Sequence, residues 1–147
     1  MNFYLDELTL NKSSIILNSD YSFKTVNDEV WDFQISIEPY TLLLLNFNYE
    51  YKLCTGIEGY LNLYKCKHKK INLNIKKKGI LKVENFIVPK DAFGITYTLS
   101  DNKCYFDNNE KIFGLGRIDD INEVFEMGIG QYVTIKNGQI IALFIKF

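Results

Sequence analysis

Apolar and polar positions alternate with period two over much of this chain. Val30 to Ile37 sets Val30, Asp32, Gln34 and Ser36 against Trp31, Phe33, Ile35 and Ile37. That alternation predicts a half-buried strand, ended by Glu38-Pro39 because proline cannot donate to a ladder. Leu42 to Tyr51 predicts a second strand, apolar on both faces at first and alternating from Asn46 onward. Gly56 breaks the pattern before Gly59 to Tyr64, where Tyr60, Asn62 and Tyr64 oppose Leu61 and Leu63. Ile71 to Ile75 and Ile80 to Val88 alternate on either side of a turn at Gly79. Phe93 to Leu99 and Lys103 to Phe106 predict a hairpin across Ser100-Asp101-Asn102. Phe3 to Leu10 and Ser14 to Leu17 fit either strand or short helix.

The end of the chain carries the sharpest local signal. Two β-rich runs, from Gln131 and up to Phe147, flank Asn137-Gly138. A type I′ turn needs φ > 0 at both central residues, and Asn-Gly supplies it. Just before this hairpin the period changes. Asp119 suits an N-cap, Asp120 adds negative charge to a first turn, and Ile121, Val124 and Phe125 share a helical face. Gly128 stands where a C′ glycine belongs. The expected architecture is mainly β: a single domain over 1–147 of antiparallel sheets, a sandwich or open barrel, with one short helix near 119–127 before the closing β-hairpin.

Composition supports that expectation. The 147 residues are 47% hydrophobic and 15% aromatic, with proline only at Pro39 and Pro89, which suits a packed core and argues against disorder. Ile, Leu, Phe and Tyr favour a pleated surface. Cys54, Cys66 and Cys104 show no paired spacing, and His68 is the only histidine, so neither a disulfide framework nor a zinc motif is expected. Free thiols fit a reducing compartment. Met1 to Glu7 has neither a basic start nor an apolar stretch, and the run Leu42 to Leu45 is far short of the about 20 residues that span a bilayer. A soluble, cytoplasmic protein is expected.

Charge divides the chain unevenly although the net charge is −1. Residues 59–82 carry eight lysines and no acid, while residues 1–58 carry nine acids and three lysines. Two readings of the lysines compete. As a nucleic-acid patch, Lys65, Lys67, His68, Lys69, Lys70, Lys76, Lys77 and Lys78, with Lys82, would form a basic hairpin beside Tyr60 and Tyr64, which can stack on bases. As edge protection, lysines on strand edges block edge-to-edge pairing. The slightly acidic whole and the single arginine, Arg117, favour protection. The acidic third offers Asp20, Asp28, Glu29 and Asp32 as candidates to face a basic protein partner.

No sequence element carries recognisable catalysis. Gly114-Leu-Gly116 before Arg117 lacks the third glycine of a dinucleotide loop and reads as a turn. Asp119, Asp120, Glu123 and Glu126 read as helix capping and a solvated face. His68 has no acid or nucleophile placed beside it by sequence, and Cys66 fits either a lowered pKa among lysines or burial. No catalytic residue, metal ligand or cofactor site is expected.

The segment from Phe125 to Phe147, a glycine-flanked aromatic strand, an Asn-Gly turn and an apolar closing strand, resembles the C-terminal end of small immunity proteins from bacterial polymorphic-toxin and contact-dependent growth inhibition systems. The resemblance implies a non-enzymatic inhibitor that binds a cognate toxin domain, possible nuclease activity belonging to the partner, and no site residues on the matched positions. The alternative expectation is a nucleic-acid-binding module built on the Lys65–Lys82 segment.

Overall fold

A computed structural model describes residues 1–7, 13–26, 31–38, 43–90, 94–119 and 123–147. The described residues form fifteen strands: β1 (Asn2–Asp6), β2 (Ser14–Leu17), β3 (Ser22–Val26), β4 (Phe33–Glu38), β5 (Leu43–Phe47), β6 (Cys54–Tyr60), β7 (Lys67–His68), β8 (Ile75–Lys78), β9 (Ile80–Glu84), β10 (Thr96–Thr98), β11 (Cys104–Asp107), β12 (Ile112–Gly116), β13 (Val124–Gly128), β14 (Gln131–Lys136) and β15 (Gln139–Lys146). Three sheets result. One has six strands in the order β10-β4-β5-β6-β3-β2, one has seven in the order β7-β11-β12-β15-β14-β13-β8, and β1 pairs with β9.

A shared core joins them. Phe33, Ile35 and Ile37 of β4 are fully buried, as their alternation requires, and meet Leu43, Leu45, Phe47 and Ile57 of the same sheet. Phe113, Leu115, Val133, Leu143 and Ile145 of the seven-stranded sheet belong to the same cluster. Phe3, Leu81 and Val83 bring in the β1–β9 ribbon. Each fully buried large apolar side chain contributes about 1.5–3 kcal/mol. Asn137 and Gly138, at φ 52° and 74°, close the β14–β15 hairpin as the sequence predicts.

The second face of the seven-stranded sheet is also buried. Ile112, Ala142, Phe144, Tyr132 and Val124 pack there with Ile118 and with Ile71. Ile71 lies in the strap 69–74, which runs from β7 on one edge to β8 on the other. From His68 to Ile75 an extended chain reaches about 25 Å. Six interstrand steps would hold the two edges about 29 Å apart on a flat sheet. The sheet therefore coils toward the strap. Gly114 makes room for it: a Cβ there would stand 3.1 Å from Ile118 and 3.2 Å from Ile71.

Several expectations need correction. No α-helix occurs among the described residues; Asp120, Ile121 and Asn122 lie outside them, and Val124–Gly128 is a strand. Val124 and Phe125 point to opposite faces, each buried, which is how a strand covered on both sides imitates a helical stripe. The sheets are not wholly antiparallel, because β10 with β4, β7 with β11, and β8 with β13 are parallel edge pairs. Gly79 does not close a hairpin: β8 pairs with β13 and β9 with β1. Likewise β10 and β11 belong to different sheets. Gly56 lies inside β6, where any Cβ would meet Thr25, and Gly114 and Gly116 lie in β12 instead of a turn. The ambiguous N-terminal runs are strands at Asn2–Asp6 and Ser14–Leu17.

Candidate functional site

The turn from β5 to β6 builds a surface the sequence signalled only in part. Asp32 precedes β4, and its Oδ2 accepts the Tyr49 N–H at 2.7 Å while its own N–H donates to the Phe47 carbonyl. Asn48 Oδ1 accepts from the N–H groups of Tyr51 and Leu53 at 3.3 and 3.1 Å. Two side chains thus satisfy the backbone of the turn and fix its shape. Rings stack outward from the core: Phe47 on Phe33 at 5.4 Å, then Phe33 against Tyr49 at 5.7 Å and Phe86 at 6.0 Å. Lys52 Nζ donates to the Phe86 carbonyl at 2.7 Å, tying the segment after β9 to the same end.

The surface above this stack is apolar and aromatic. Trp31, Tyr49 and Tyr51 are exposed at 36%, 47% and 57%, and Ile87 at 91%. Trp31 was expected on the buried face of its strand; it stands outside because β4 begins only at Phe33. Beside them are the carboxylates of Asp32 and Glu50. The Glu50 carboxylate accepts a hydrogen bond from the Tyr51 hydroxyl, and this raises the tyrosine's pKa. Rings held by a stacked base and a bonded turn lose little entropy on docking.

The four acidic candidates do not form one cluster. Asp28 and Glu29 lie outside the described residues. Asp20 closes the β2–β3 turn, accepting from Ser22 Oγ at 2.6 Å and Ser22 N–H at 3.0 Å, which holds its pKa below the usual carboxylate value. Ser22 pairs with Tyr60 at the end of β6, whereas Phe33, next to Asp32, pairs with Phe47 and through it Cys54 at the start of β6. The seven residues of β6 separate Asp20 from Asp32 by about 20 Å. Of the named acids described, only Asp32 belongs to the aromatic end.

The basic residues are divided too. Lys65, Lys67, His68, Lys69 and Lys70 lie at the β7 edge, and Lys76, Lys77 and Lys78 at the opposite β8 edge. Lys69 Nζ holds both carboxylate oxygens of Asp119 at 2.5 Å and sits over the Tyr105 ring. Lys77 faces Glu7 at 3.7 Å, and Lys78 faces Glu126 at 3.1 Å. Lys82 lies over Tyr4 in the β1–β9 ribbon. The expected basic hairpin is a strap with lysines at its two ends.

An open cleft of about 520 Å³ adjoins the β7 edge, lined by His68, Lys69, Lys70, Asp107, Asn108 and Glu110 among others. Asp107 does structural duty there. Its carboxylate accepts the Ile71 N–H at 2.8 Å and those of Asn109 and Glu110 at 3.0 and 3.1 Å. The Ile71 bond above all holds its pKa low. Among the described residues no serine, threonine or cysteine lines this cleft beside His68. Among the described residues no group of three or more His, Cys, Asp or Glu could hold a metal ion, and no helix is long and apolar enough to cross a membrane. No protein-family model, curated protein or solved structure matches the chain.

Proposed function

We propose that this chain is a non-enzymatic protein-binding inhibitor, an immunity protein that neutralises a cognate bacterial toxin domain. It docks through the aromatic end of the six-stranded sheet. One observation carries the reading: Tyr49 and Tyr51 are exposed on a turn held rigid by Asp32 and Asn48 and bordered by carboxylates, and Trp31, the residue before Asp32, is exposed as well. Trp and Tyr dominate the energetics of protein interfaces when they fill pockets on the partner. The acidic border suits a basic partner such as a nucleic-acid-cleaving domain, whose charge would steer association. The resemblance of Phe125 to Phe147 to immunity proteins agrees with this role, which implies action in the cytoplasm. The nucleic-acid alternative loses the contiguous basic hairpin that favoured it, because the lysines divide between two edges.

The test begins with the open reading frame beside the gene. It should encode a growth-inhibiting domain, and co-expression of this chain should restore growth. In the purified complex, Trp31→Ala or Tyr51→Ala should weaken affinity by about 30-fold or more, the loss expected of a residue contributing about 2 kcal/mol. Glu50→Lys should act mainly on the association rate. Failure to restore growth, or retention of the unmodified chain on mixed RNA and DNA at submicromolar, salt-sensitive affinity, would overturn the proposal.

A further inference from the structure

The three cysteines are all free and buried, yet two of them are neighbours. β7 pairs with β11 in parallel, Lys67 opposite Tyr105 and His68 opposite Phe106. One residue earlier on each strand are Cys66 and Cys104. Adjacent strands lie about 4.8 Å apart, inside the Cα separation of roughly 4.4–6.8 Å that a disulfide spans. Both side chains enter the same hydrophobic cluster, so their Cβ atoms project to the same face; the Cys66 thiol donates to the Asn62 carbonyl at 3.6 Å and lies near enough to the Cys104 thiol for that neighbour to raise its pKa. We propose that Cys66 and Cys104 are a dithiol–disulfide site whose oxidation clamps the strap 69–74 to the seven-stranded sheet.

Position gives the pair its reactivity and its consequence. Cys66 ends a 3₁₀ turn (Leu63–Lys65) and precedes a strand of only two residues with exposed lysines on both sides. Little ladder must open to uncover it. Burial first, then the neighbouring Cys104 thiol, raises the pKa of Cys66, so the closed fold keeps Cys66 as a thiol and the reaction waits on fraying of β7. Cys54 behaves differently. It lies on an interior strand, donates to the Gly56 carbonyl at 3.3 Å, and burial pushes its pKa up to about 12.

The oxidant is a small disulfide such as glutathione disulfide. The Cys66 thiolate attacks one of its sulfurs, forming a mixed disulfide and releasing one glutathione thiolate. Cys104 gives up its proton and attacks the Cys66 sulfur, expelling the second glutathione. Two electrons pass from the cysteines to the oxidant. The bond closes a loop holding the strap, β8, β9 and β10, and makes the β7 attachment covalent.

The folded 147-residue chain is incubated with glutathione disulfide, remaining thiols are alkylated after denaturation, and peptides are mapped by mass spectrometry. A Cys66–Cys104 linked peptide with Cys54 alkylated is expected, and C54S should behave identically. The oxidised chain should melt at a higher temperature and resist thermolysin between residues 67 and 103, both reversed by dithiothreitol. C104S should trap a stable glutathione adduct on Cys66. Three free thiols after prolonged exposure, a cross-link that includes Cys54, or a lasting glutathione adduct on Cys66 of the unmodified chain would overturn the proposal.

Discussion

Whether the strap truly seals the outer face of the seven-stranded sheet can be measured at one contact, Ile71 over Gly114. Ile71 is almost fully buried against Ile118 and Phe144. Truncation to alanine removes three carbons from a packed site, which costs about 2–5 kcal/mol depending on how far the site collapses. A Cβ at Gly114 would lie 3.1 Å from Ile118 Cγ2, 3.2 Å from Ile71 Cδ1 and 3.3 Å from Phe144 Cδ1. Each neighbour would have to yield by a few tenths of an ångström, an overpacking cost of about 1–3 kcal/mol. The two changes should compensate, because Ile71→Ala removes one of the three close neighbours and leaves space for the new methyl group. The double variant should therefore be more stable than the sum of the single losses by about 0.5–2 kcal/mol. Urea unfolding followed by circular dichroism and by the single tryptophan, Trp31, supplies the four stabilities. An m-value shared by all four would show that the denatured state has not changed. Additivity within about 0.5 kcal/mol would mean that the strap does not rest on Gly114, and the packing of Ile71 on that face would fall.

Truncation after Asn137 should abolish folding, since β15 is the central strand of the seven-stranded sheet and is buried on both faces; a truncated chain melting within a few degrees of the full one would refute this. Acid should weaken the domain partly through Asp107 and Asp20. Their pKa values are lowered on folding, so the stability they contribute is present above the unfolded value near 3.8 and is lost as pH falls through the lower folded values. Asp107→Asn should lower the melting temperature at neutral pH and flatten its decline below about pH 4; an acid limb unchanged from the parent chain would assign that loss to other groups.

The sequence showed local conformation well and long-range pairing poorly, for reasons visible in single residues. Asn137-Gly138 fixes a turn by φ alone, and Phe33, Ile35 and Ile37 mark a half-buried strand by period alone. Both are decided by neighbours in the chain. Val124 and Phe125 are misread because burial on two faces erases the alternation, and Asp119 and Gly128 supply accidental capping signals. Asp119 instead receives Lys69, fifty residues away in sequence. Gly79 looks like a turn, but glycine is needed there because any Cβ would strike the Asp6 carbonyl as the chain leaves one sheet for another. The candidate site divides in the same way. Aromatic character at Tyr49 and Tyr51 was visible, whereas the company of Asp32 and the absence of Asp20 depend on antiparallel register. Trp31 was assigned to the wrong side by extending a correct alternation two residues too far.

Register also decides what the lysine block means. Both β7 and β8 are edge strands of one sheet, and an edge presents unpaired backbone groups to any passing strand. Lys67 lies on one such edge, and Lys76, Lys77 and Lys78 on the other, so the strap distributes a single run of basic sequence to two places where pairing must be discouraged. A nucleic-acid groove would instead gather those charges on one face along a backbone path. Asp119, Glu7 and Glu126, which pair with Lys69, Lys77 and Lys78, are at least partly exposed, so each ion pair contributes little stability. The acidic third contains the aromatic end, where Asp32 braces the turn that displays Tyr49 and Tyr51. Rigid rings with a carboxylate border suit a protein surface with basic pockets, and on that coincidence we propose the inhibitor reading ahead of the nucleic-acid one.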